Sequence, residues 1–553
     1  MLVSIFNDVL GPVMRGNSSS HCAAALRIGR LCRDLMGGRV QDVLIEFDRG
    51  GSLPTTHDTQ GSDMGLFGGL LGWEADDERL PDSMRIFVES GGGVRFETVD
   101  VGDPHPNTYR LTLRNGPDCH TIRAISTGGG MIEVIDIDGA AVSIFGDYFE
   151  TLLYVKGAPG QENQASALIE RLVARITALQ PDAMLSVHRC HTVGDNPRDS
   201  DDSSLVRVTT CQSLSSDLVE ALRDFRSIDQ SQTLCPVLPV RSYPGMSVPF
   251  TSCRSMLDHD RGRGTPLWQL AIEYERCRGG LGESEVMAMA VDLVRILRRS
   301  IAQGIAGTHH EDRVLAAQAP ALAAKIGDGS LLDAGALNAI VLAVTALMDV
   351  KSSMGVIVAM PTAGACAALP GAVIAMAEAM GLDEQAMAKA LLASGVIGVF
   401  IATEFTFAAE VGGCQVEGGS AASMAAAALV TLADGTLDQS VAAASMALQS
   451  MIGLICDPVA NRVESPCLGK NVMAAANAVC CANMALAGFD QVIPLDEVIE
   501  TVKRVAGQMP RELRCTGLGG LAITPTSIAI QKRLEENAAA RKSGCGKTGC
   551  GCG

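Results

Sequence analysis

The sequence predicts a multidomain protein whose N-terminal part is mixed α/β (α+β) and whose C-terminal part is all-helical. Three observations indicate this fold class. The 553 residues are too many for a single hydrophobic core. Strand-like patterns occur only before about residue 240. After residue 265 the pattern is helical and rich in alanine and methionine, which suits closely packed helices.

The first predicted domain covers residues 1–140. A loop rich in glycine and serine, at residues 16–21, leads into the helix-like run AAALRIGRLCRDLMG. The segments DVLIEF, MRIFVES and YRLTLRN are predicted strands. ISTGGGMIEVIDIDG is predicted to form a glycine turn followed by an alternating strand.

A second predicted domain covers residues 145–240. Its segments follow the order strand, helix, strand, strand, helix: ETLLYVKG, QASALIERLVARITAL, AMLSVHRC, SLVRVTTC and SDLVEALRDF. This order predicts a small α+β sandwich and resembles an ACT-like module, a type of unit that usually regulates or dimerises proteins.

Three further regions complete the predicted organisation. Residues 241–264 begin with RSYPGMSVPF, whose proline and glycine predict a linker. Residues 265–535 form the predicted helical domain. Residues 536–553 form a Gly/Cys-rich tail without the apolar residues needed for a core.

Composition and charge exclude several classes of partner. The formal net charge of -18 argues against nucleic acid and against anionic membrane surfaces, because both attract clustered positive charge. The N-terminal segment lacks a basic region followed by an apolar run, so we expect a cytoplasmic location with reduced thiols.

Two apolar stretches have a composition near that of a membrane span. The first begins at Gly355 and is interrupted by Pro361 and Pro370; the second begins at Leu391 and runs into Glu404. A spanning helix needs about 20 mostly apolar residues with polar flanks. We therefore predict buried helices and no membrane partner.

The cysteine pattern of the helical domain carries the strongest chemical signal. Cys414 lies in GGCQVEGG, and Cys456 and Cys467 lie in ICDPVANRVESPC, each beside glycine or proline turns. The spacing is neither that of a zinc ribbon nor that of a ferredoxin. Two interpretations remain from spacing alone: three buried apolar cysteines, or three thiolates on a four-iron cluster whose open iron acts as a Lewis acid.

Longer motifs resemble one family along almost the whole chain. LGPVMRGNSSSHCAAALRIGR, GGSLPTTHDTQGSDMGLFGGLLG and AISTGGGMIEV are similar to the β chain of the bacterial iron–sulfur L-serine dehydratases. SSMGVIVAMPTAGACAALPG, GGCQVEGGSAASMAAAALV, CDPVANRVESPC and TGLGGLAITPT are similar to their α chain. The resemblance implies a lyase, a [4Fe-4S] cluster on Cys414, Cys456 and Cys467, a small hydroxy acid substrate and a homodimer.

The resemblance also implies a substrate site. The cluster's open iron would bind the substrate, a base would remove its α-proton, and the enamine formed would hydrolyse to a 2-oxo acid and ammonia. Ser18, Ser19 and Ser20 match the family's serine-rich substrate loop, which precedes His21. An ordinary group of helix-capping residues would explain the same serines. Ser353, Thr362 and Lys470 are further predicted substrate contacts, although turn residues and surface charges would account for them equally well; Lys351 is an alternative partner for the carboxylate.

Some positions depart from the family pattern. Gln60 stands where the histidine taken as the α-proton base is usual, and an amide has no useful basicity. His21 and His57 are the predicted replacements. Asn461 replaces a glycine and Cys515 an acidic residue, and the remaining changes are at Asn17, Cys22, Thr403 and Glu404.

Such departures predict an altered substrate rather than loss of function, because the three cysteines remain. A hydroxymethyl dicarboxylic acid, such as 2-(hydroxymethyl)glutarate, is the alternative to serine. A non-catalytic iron–sulfur sensor and a cysteine desulfidase are two further alternatives.

The tail contains Cys545, Cys550 and Cys552. Some single-chain family members end in a cysteine that caps the open iron until substrate displaces it, and Cys552 is a candidate for that role. A disordered tail that scavenges metal or assists cluster assembly is the alternative.

Overall fold

The computed structural model describes residues 2–156, 162–190, 203–225 and 228–545. These form two compact units. The N-terminal unit comprises the residues up to Asn7, Ser20–Val248 and Glu275–Leu281. The helical unit comprises Asp8–Ser19, Pro249–Tyr274 and the residues from Gly282 onward.

The strands and helices are numbered here in chain order. The strands are β1 Val13–Met14, β2 Asp42–Asp48, β3 Gly93–Val99, β4 Thr108–Asn115, β5 Asp118–Gly128, β6 Met131–Ile137, β7 Ala140–Ile144, β8 Phe149–Lys156, β9 Met184–Arg189, β10 Ser203–Thr210, β11 Ile228–Leu234 and β12 Ile357–Val358. The first ten helices are α1 Ala24–Leu35, α2 Leu53–Gln60, α3 Ser62–Leu70, α4 Ser83–Glu89, α5 Glu162–Leu179, α6 Ser216–Arg223, α7 Cys253–Asp260, α8 Leu267–Gly279, α9 Glu283–Ala306 and α10 Ala319–Gly327. The others are α11 Ala336–Ser352, α12 Ala368–Ala379, α13 Glu384–Glu404, α14 Ala409–Gly412, α15 Ser420–Leu432, α16 Leu437–Gln449, α17 Cys467–Leu486, α18 Leu495–Gln508 and α19 Pro525–Cys545.

The first sheet of the N-terminal unit has the strand order β3-β2-β4-β5-β6-β7. Only β2 and β3 pair in parallel; the other neighbours are antiparallel. Helices α1 and α3 pack backbone against backbone. A Cβ atom on Gly65 would lie 2.0 Å from the carbonyl oxygen of Cys22, and one on Gly69 would lie 2.1 Å from that of Leu26. Glycine is therefore required at both positions.

The second sheet has the strand order β11-β8-β10-β9 and is antiparallel throughout. With α5 and α6 it gives a β-α-β-β-α-β unit, the order of ferredoxin-like sandwiches. The predicted elements of residues 145–240 are present, and β11 follows them as a strand that the sequence pattern did not predict. The sequence of β11 (IDQSQTL) is polar between its first and last residues, so it lacks the apolar alternation that predicts a strand.

One predicted strand is wrong. Residues of MRIFVES form α4 rather than a strand. Only Phe87 of this run buries a large apolar side chain, so strand alternation has no second buried residue to support it. Helical spacing instead brings Arg85 to Glu89, at 2.9 Å, and to Asp82, at 3.1 Å.

The helical unit is organised around α15, whose residues are buried except Thr431. Helices α13, α16, α17 and α12 pack against it. Alanines dominate the α15 surface, so neighbouring helix axes come close. This multidomain arrangement, mixed α/β first and helical afterwards, confirms the coarse fold class.

The second half of the first apolar stretch forms α12, and the second stretch lies in α13. Helix α13 is long and apolar enough to cross a membrane by length and composition, but 78% of its most apolar window is buried inside the structure. Pro370 does not interrupt its stretch as the sequence suggested. It lies in the first turn of α12, where the missing N–H has no helical partner to lose.

Helical structure extends into both the predicted linker and the predicted tail. Helix α7 lies within residues 241–264 and begins with a capping box formed by Ser252 and Ser255. Helix α19 continues to Cys545. Cys550 and Cys552 are outside the described residues.

Candidate metal centre

Three chain segments of the helical unit meet beside α14. Backbone hydrogen bonds join residues 409–415, 454–456 and 513–515, so their spacing is set by the main chain. The bonds run from Gln415 N to Leu454 O (2.9 Å), from Cys456 N to Leu513 O (2.9 Å) and from Cys515 N to Ala409 O (3.4 Å).

Gly413 is required for this crossing. Its φ is +71°, a left-handed conformation. A Cβ atom there would lie 3.0 Å from the carbonyl oxygen of Leu454 and 2.7 Å from Sδ of Met509. The glycine therefore lets Cys414 follow directly on the chain crossing.

The segments carry a buried group of thiols. Cys414, Cys456 and Cys515 pack with Ala409 into one buried cluster, which Leu454 covers in part. The sulfurs of Cys414 and Cys456 and a carboxylate oxygen of Glu417 lie within 4.8 Å of one another. The Cys456 thiol forms hydrogen bonds with both Cys414 and Cys515.

Cys467 is the first residue of α17, and the dipole at a helix N-terminus favours a thiolate. Burial and the neighbouring Cys414 raise the pKa of Cys467. Hydrogen bonds to Cys414 and Cys515, together with burial, raise the pKa of Cys456. Without a bound metal the Cys456 and Cys467 thiols are therefore protonated, and a bound cation would stabilise their thiolate forms. No disulfide joins cysteines in the described residues.

Lys470 places a cation beside Cys414. Its Nζ donates to Asp457 Oδ1 at 2.7 Å and to the Ile455 carbonyl oxygen at 2.8 Å, and lies 3.7 Å from Cys414 Sγ. Burial lowers the pKa of Lys470, but the charges of Cys414 and Asp457 outweigh it and raise that pKa. The ammonium group therefore offsets thiolate charge from a fixed position.

Lys351 supplies a second, fully buried cation. Its Nζ donates to the carbonyl oxygen of Val463, in the loop that leads to Cys467. That loop is also held by Glu464, whose carboxylate accepts from Arg313 Nε (3.5 Å) and from the backbone N–H groups of residues 314 and 315 (3.1 and 3.2 Å). Arg313 also donates to Asp349 at 3.1 Å.

A second polar group lies next to the thiols. The Thr362 hydroxyl donates to Glu417 Oε1 at 2.8 Å, and Ser19 Oγ accepts from the Ala363 N–H at 3.3 Å. A Cβ atom on Gly364 would lie 3.0 Å from Glu417 Oε1, a tight contact, so glycine at this position gives the carboxyl group room. Burial raises the pKa of Glu417 to about 7. The structure therefore brings together Ser19, Thr362 and the cysteines.

Asn471 links this turn to α17. Its Oδ1 accepts from the N–H groups of Ala367 (3.2 Å) and Ala368 (3.1 Å). Its Nδ2 donates to the carbonyl oxygens of Gly364 (2.8 Å) and Cys467 (2.9 Å). One side chain thus fixes both the turn and a predicted ligand.

Comparison with known proteins shows which family the chain is similar to. The family model of the serine dehydratase alpha chain matches residues 262–522. The probable L-serine dehydratase alpha chain of Bacillus subtilis is 38% identical over 239 residues, which cover 43% of this chain and 80% of the relative. The alpha chain of the Peptoniphilus asaccharolyticus enzyme is 33% identical over 284 residues, covering 51% and 97%.

The chain belongs to the serine dehydratase family. Its N-terminal part has relatives there too, since the Peptoniphilus asaccharolyticus beta chain is 33% identical over 165 residues, covering 29% of this chain and 73% of the relative. The chain thus combines regions similar to both chains, and it is an enzyme of the lyase class. Sulfur donors suit zinc, copper(I) and iron–sulfur clusters, so the thiol group fits the cofactor that the family resemblance implies.

In this member of the family the two predicted histidines differ in environment. His21 is fully buried beside Thr56, with Nε2 2.9 Å from Oγ1, and burial lowers its pKa to about 3. His57 is partly exposed, and its Nδ1 lies 2.8 Å from Asp63 Oδ1. Burial disfavours the charged ring of His57, but the hydrogen bond and charge of Asp63 outweigh this effect and raise its pKa.

The remaining predicted residues have diverse positions. Gln60 is the last residue of α2 and is buried. Ser20 lies in the π-helical turn Ser19–Ala23, whereas Ser18 is half-buried just before it. Ser353 accepts from Arg313 Nη1 at 3.0 Å and donates to a threonine, so it belongs to the network around Arg313. Cys552, the tentative tail ligand, lies outside the described residues.

Sequence reasoning missed Glu417, Asn471 and Asp457 as members of the site. Glu417 lies three residues after Cys414 in a run of glycines, where a lone acidic residue was the available signal. Cys515 was noted only as a departure. Asn471 had no signal, because three of its four backbone partners lie more than 100 residues away in the sequence.

Proposed function

We propose that the protein is an iron–sulfur dehydratase of L-serine, which it converts to pyruvate and ammonia, or of a closely related β-hydroxy acid. One observation supports this proposal: a cluster of buried cysteine thiols lies in a protein whose N-terminal and C-terminal parts are similar to the beta and alpha chains of L-serine dehydratases.

In this proposal Cys414, Cys456 and Cys467 hold a [4Fe-4S] cluster. The cluster supplies a Lewis-acidic iron at the corner that lacks a protein sulfur. Lys470 and Lys351 offset the charge of the thiolates. Thr362 and Ser19 fix the turn that faces Glu417, and we assign substrate binding to this turn together with Ser18, Ser20 and Ser353.

We assign removal of the α-proton to His57 rather than His21. With its Nδ1 proton directed to Asp63, His57 keeps Nε2 as a basic nitrogen. His21 is a poor base, because burial lowers its pKa to about 3. Gln60 is left to contribute hydrogen bonds to the substrate, since its amide does not accept protons at neutral pH.

Anaerobic reconstitution of the full chain with iron and sulfide tests the proposal. We expect L-serine to yield pyruvate and ammonia in equal amounts, and Cys456→Ala to lose both the cluster absorption and the activity. His57→Gln should keep the cluster and lower kcat about 10²-fold or more. His259 provides the matched control, because it also pairs with a carboxylate, Glu273, at 3.0 Å; His259→Gln should keep full activity.

The departure at Gln60 favours a second candidate substrate, a hydroxymethyl dicarboxylic acid. Parallel steady-state assays with L-serine and 2-(hydroxymethyl)glutarate would separate the two substrates. A cluster-loaded protein that turns over neither, and releases no sulfide from cysteine, would contradict the proposal and leave an iron–sulfur sensor.

The location, oligomeric state and partners of the protein are also proposals. We infer a cytoplasmic homodimer without nucleic-acid or membrane partners, in which the β-α-β-β-α-β unit serves as an ACT-like regulatory module. Sedimentation of the reconstituted protein, with and without amino acids, measures both the oligomeric state and any effect of a ligand on it.

A further inference from the structure

A cavity in the N-terminal unit has no part in the chemistry described so far. It lies along α6, between that helix and the edge strand β11, and its volume is about 470 Å³. Pockets that hold small molecules in proteins usually have volumes of about 300–1,000 Å³. The described residues that line this cavity belong to β8, α6 and β11 or lie within three residues of α6.

Small side chains on β11 create the space. Ser231 and Thr233 pair with Leu153 and Thr151 of β8, and cross-strand partners project from the same face of a sheet. Leu153 belongs to the core between this sheet and the helices α5 and α6, so the shared face is the one that the helices cover. A serine and a threonine fill less volume than the large apolar residues of the inner strands. The space between them and α6 therefore stays open.

Apolar side chains form one part of the lining. Leu153 is fully buried at the cavity and Leu222 is 9% exposed, whereas Val219 is 40% exposed. A ligand that covers Val219 would remove its apolar surface from water, which is favourable. The apolar lining residues are Leu153, Leu214, Val219, Leu222, Phe225 and Ile228.

Polar groups border the same cavity. Arg223, in the last turn of α6, lines it and forms no ion pair with any residue that the structure describes. The hydroxyl oxygens of Thr151 and Thr233 lie 3.2 Å apart, and each hydroxyl keeps capacity for further hydrogen bonds. Asp229, at the bulge of β11, also lines the cavity. A cation and hydroxyl groups beside an apolar surface suit a ligand that has both a carboxylate and an apolar group.

We propose that this cavity binds a small carboxylic acid with a branched aliphatic or aromatic side chain. The carboxylate binds Arg223 and the hydroxyl groups of the two threonines, and the apolar group covers Val219 and Leu222. This inference goes beyond the proposed function, in which the β-α-β-β-α-β unit has neither a ligand nor a binding site assigned to it. It does not depend on the metal centre.

Each feature alone has an ordinary explanation. An arginine in the last turn of a helix complements the helix dipole, and threonine is common in strands. Neither explanation requires the arginine, the hydroxyl groups and an apolar surface to border one cavity of the size that small ligands need. Their combination at a single place is what indicates a ligand.

Isothermal titration calorimetry of the full chain, reconstituted with iron and sulfide, tests the site. The probes are 4-methylpentanoate, L-leucine, whose ammonium group would face Asp229, and the uncharged 4-methylpentanamide. We expect at least one of the two acids to bind, and the amide to bind about tenfold more weakly or worse. Arg223→Gln should weaken binding of the acid by a similar factor. Arg175→Gln is the matched control, an exposed arginine of α5 outside the cavity, and should keep the wild-type Kd.

Two further measurements separate the apolar part of the site from the charge. Straight-chain acids from propanoate to hexanoate should bind about two- to fourfold more tightly for each added CH₂ group. Ser231→Phe should abolish binding by filling the cavity, and it should fold normally because Ser231 is exposed on an edge strand.

The proposal would be overturned if neither acid bound the wild type, if Arg223→Gln kept the wild-type Kd, or if affinity did not depend on chain length. If Arg223→Gln fails to fold, Ser231→Phe and the chain-length series still decide. Iron content, sulfide content and serine turnover of the same samples report separately on the proposed function.

Discussion

Replacing Asn471 with alanine should destabilise the helical unit far more than an ordinary polar substitution. Asn471 is 4% exposed and makes four hydrogen bonds to backbone groups. Helix α17 itself offers the Cys467 carbonyl another partner. The two N–H groups of Ala367 and Ala368 and the Gly364 carbonyl would be left buried without one.

The expected magnitude follows from those three groups. An unsatisfied buried backbone group costs about 1–3 kcal/mol, so the free energy of unfolding should fall by about 3 kcal/mol or more. Asn477 is the matched control, in the same helix and with the same substitution. It donates one bond, to the Ala447 carbonyl at 2.9 Å, and accepts a weak one from the Cys481 thiol at 3.5 Å, so Asn477→Ala should cost about 1 kcal/mol.

Denaturant unfolding of the metal-free, reduced proteins gives the comparison, with circular dichroism to follow the helices. Iron and sulfide content after reconstitution gives a second readout, because the lost bonds also position Cys467. The reasoning would be refuted if Asn471→Ala and Asn477→Ala lost equal stability, or if Asn471→Ala bound iron as the wild type does.

Three other changes test separate parts of the structure. Gly413→Ala should cost about 1–3 kcal/mol more than Gly453→Ala and should weaken iron binding, because both glycines have positive φ but only Gly413 faces a backbone carbonyl; reconstitution titrations measure this. Glu464→Gln should lower the free energy of unfolding by about 3 kcal/mol, since it leaves the buried Arg313 without one of its carboxylates; denaturant unfolding checks it. His21 has a folded pKa of about 3 against 6.5 unfolded, so the unfolded state binds the proton more tightly and stability is lost as the pH falls below 6.5. At pH 5 that loss is about 2 kcal/mol, and His21→Asn should remove it from the pH dependence of unfolding.

Local signals predicted those parts of the fold and site that depend on neighbours in sequence. The glycines before Cys414 and the prolines before Cys467 marked breaks in the helices, and the structure has an irregular residue at Gly413 and a turn that ends at Pro466. In contrast, MRIFVES was wrongly predicted because a seven-residue run with one buried side chain satisfies either periodicity.

Contacts between residues far apart in sequence could not be predicted, for a different reason. Residue type showed that Asn471 is polar and that Glu417 is acidic, but not which carbonyl or hydroxyl each would meet after folding. The pairing of Asn471 with Gly364 spans 107 residues, and that of Thr362 with Glu417 spans 55. No local pattern encodes such a contact, since it depends on the packing of several helices.

This dependence on distant partners couples the metal centre to folding. The thiols belong to segments that backbone hydrogen bonds bring together only once the helical unit has formed, so the unfolded chain has no preformed site. Burial and neighbouring thiols raise the pKa of Cys456 and of Cys467, so cation binding at these two thiols must release protons and should strengthen as the pH rises. Lys470 and Lys351 lower the free-energy cost of deprotonating the thiols, because carboxylate and carbonyl partners already hold their positive charges near the sulfurs.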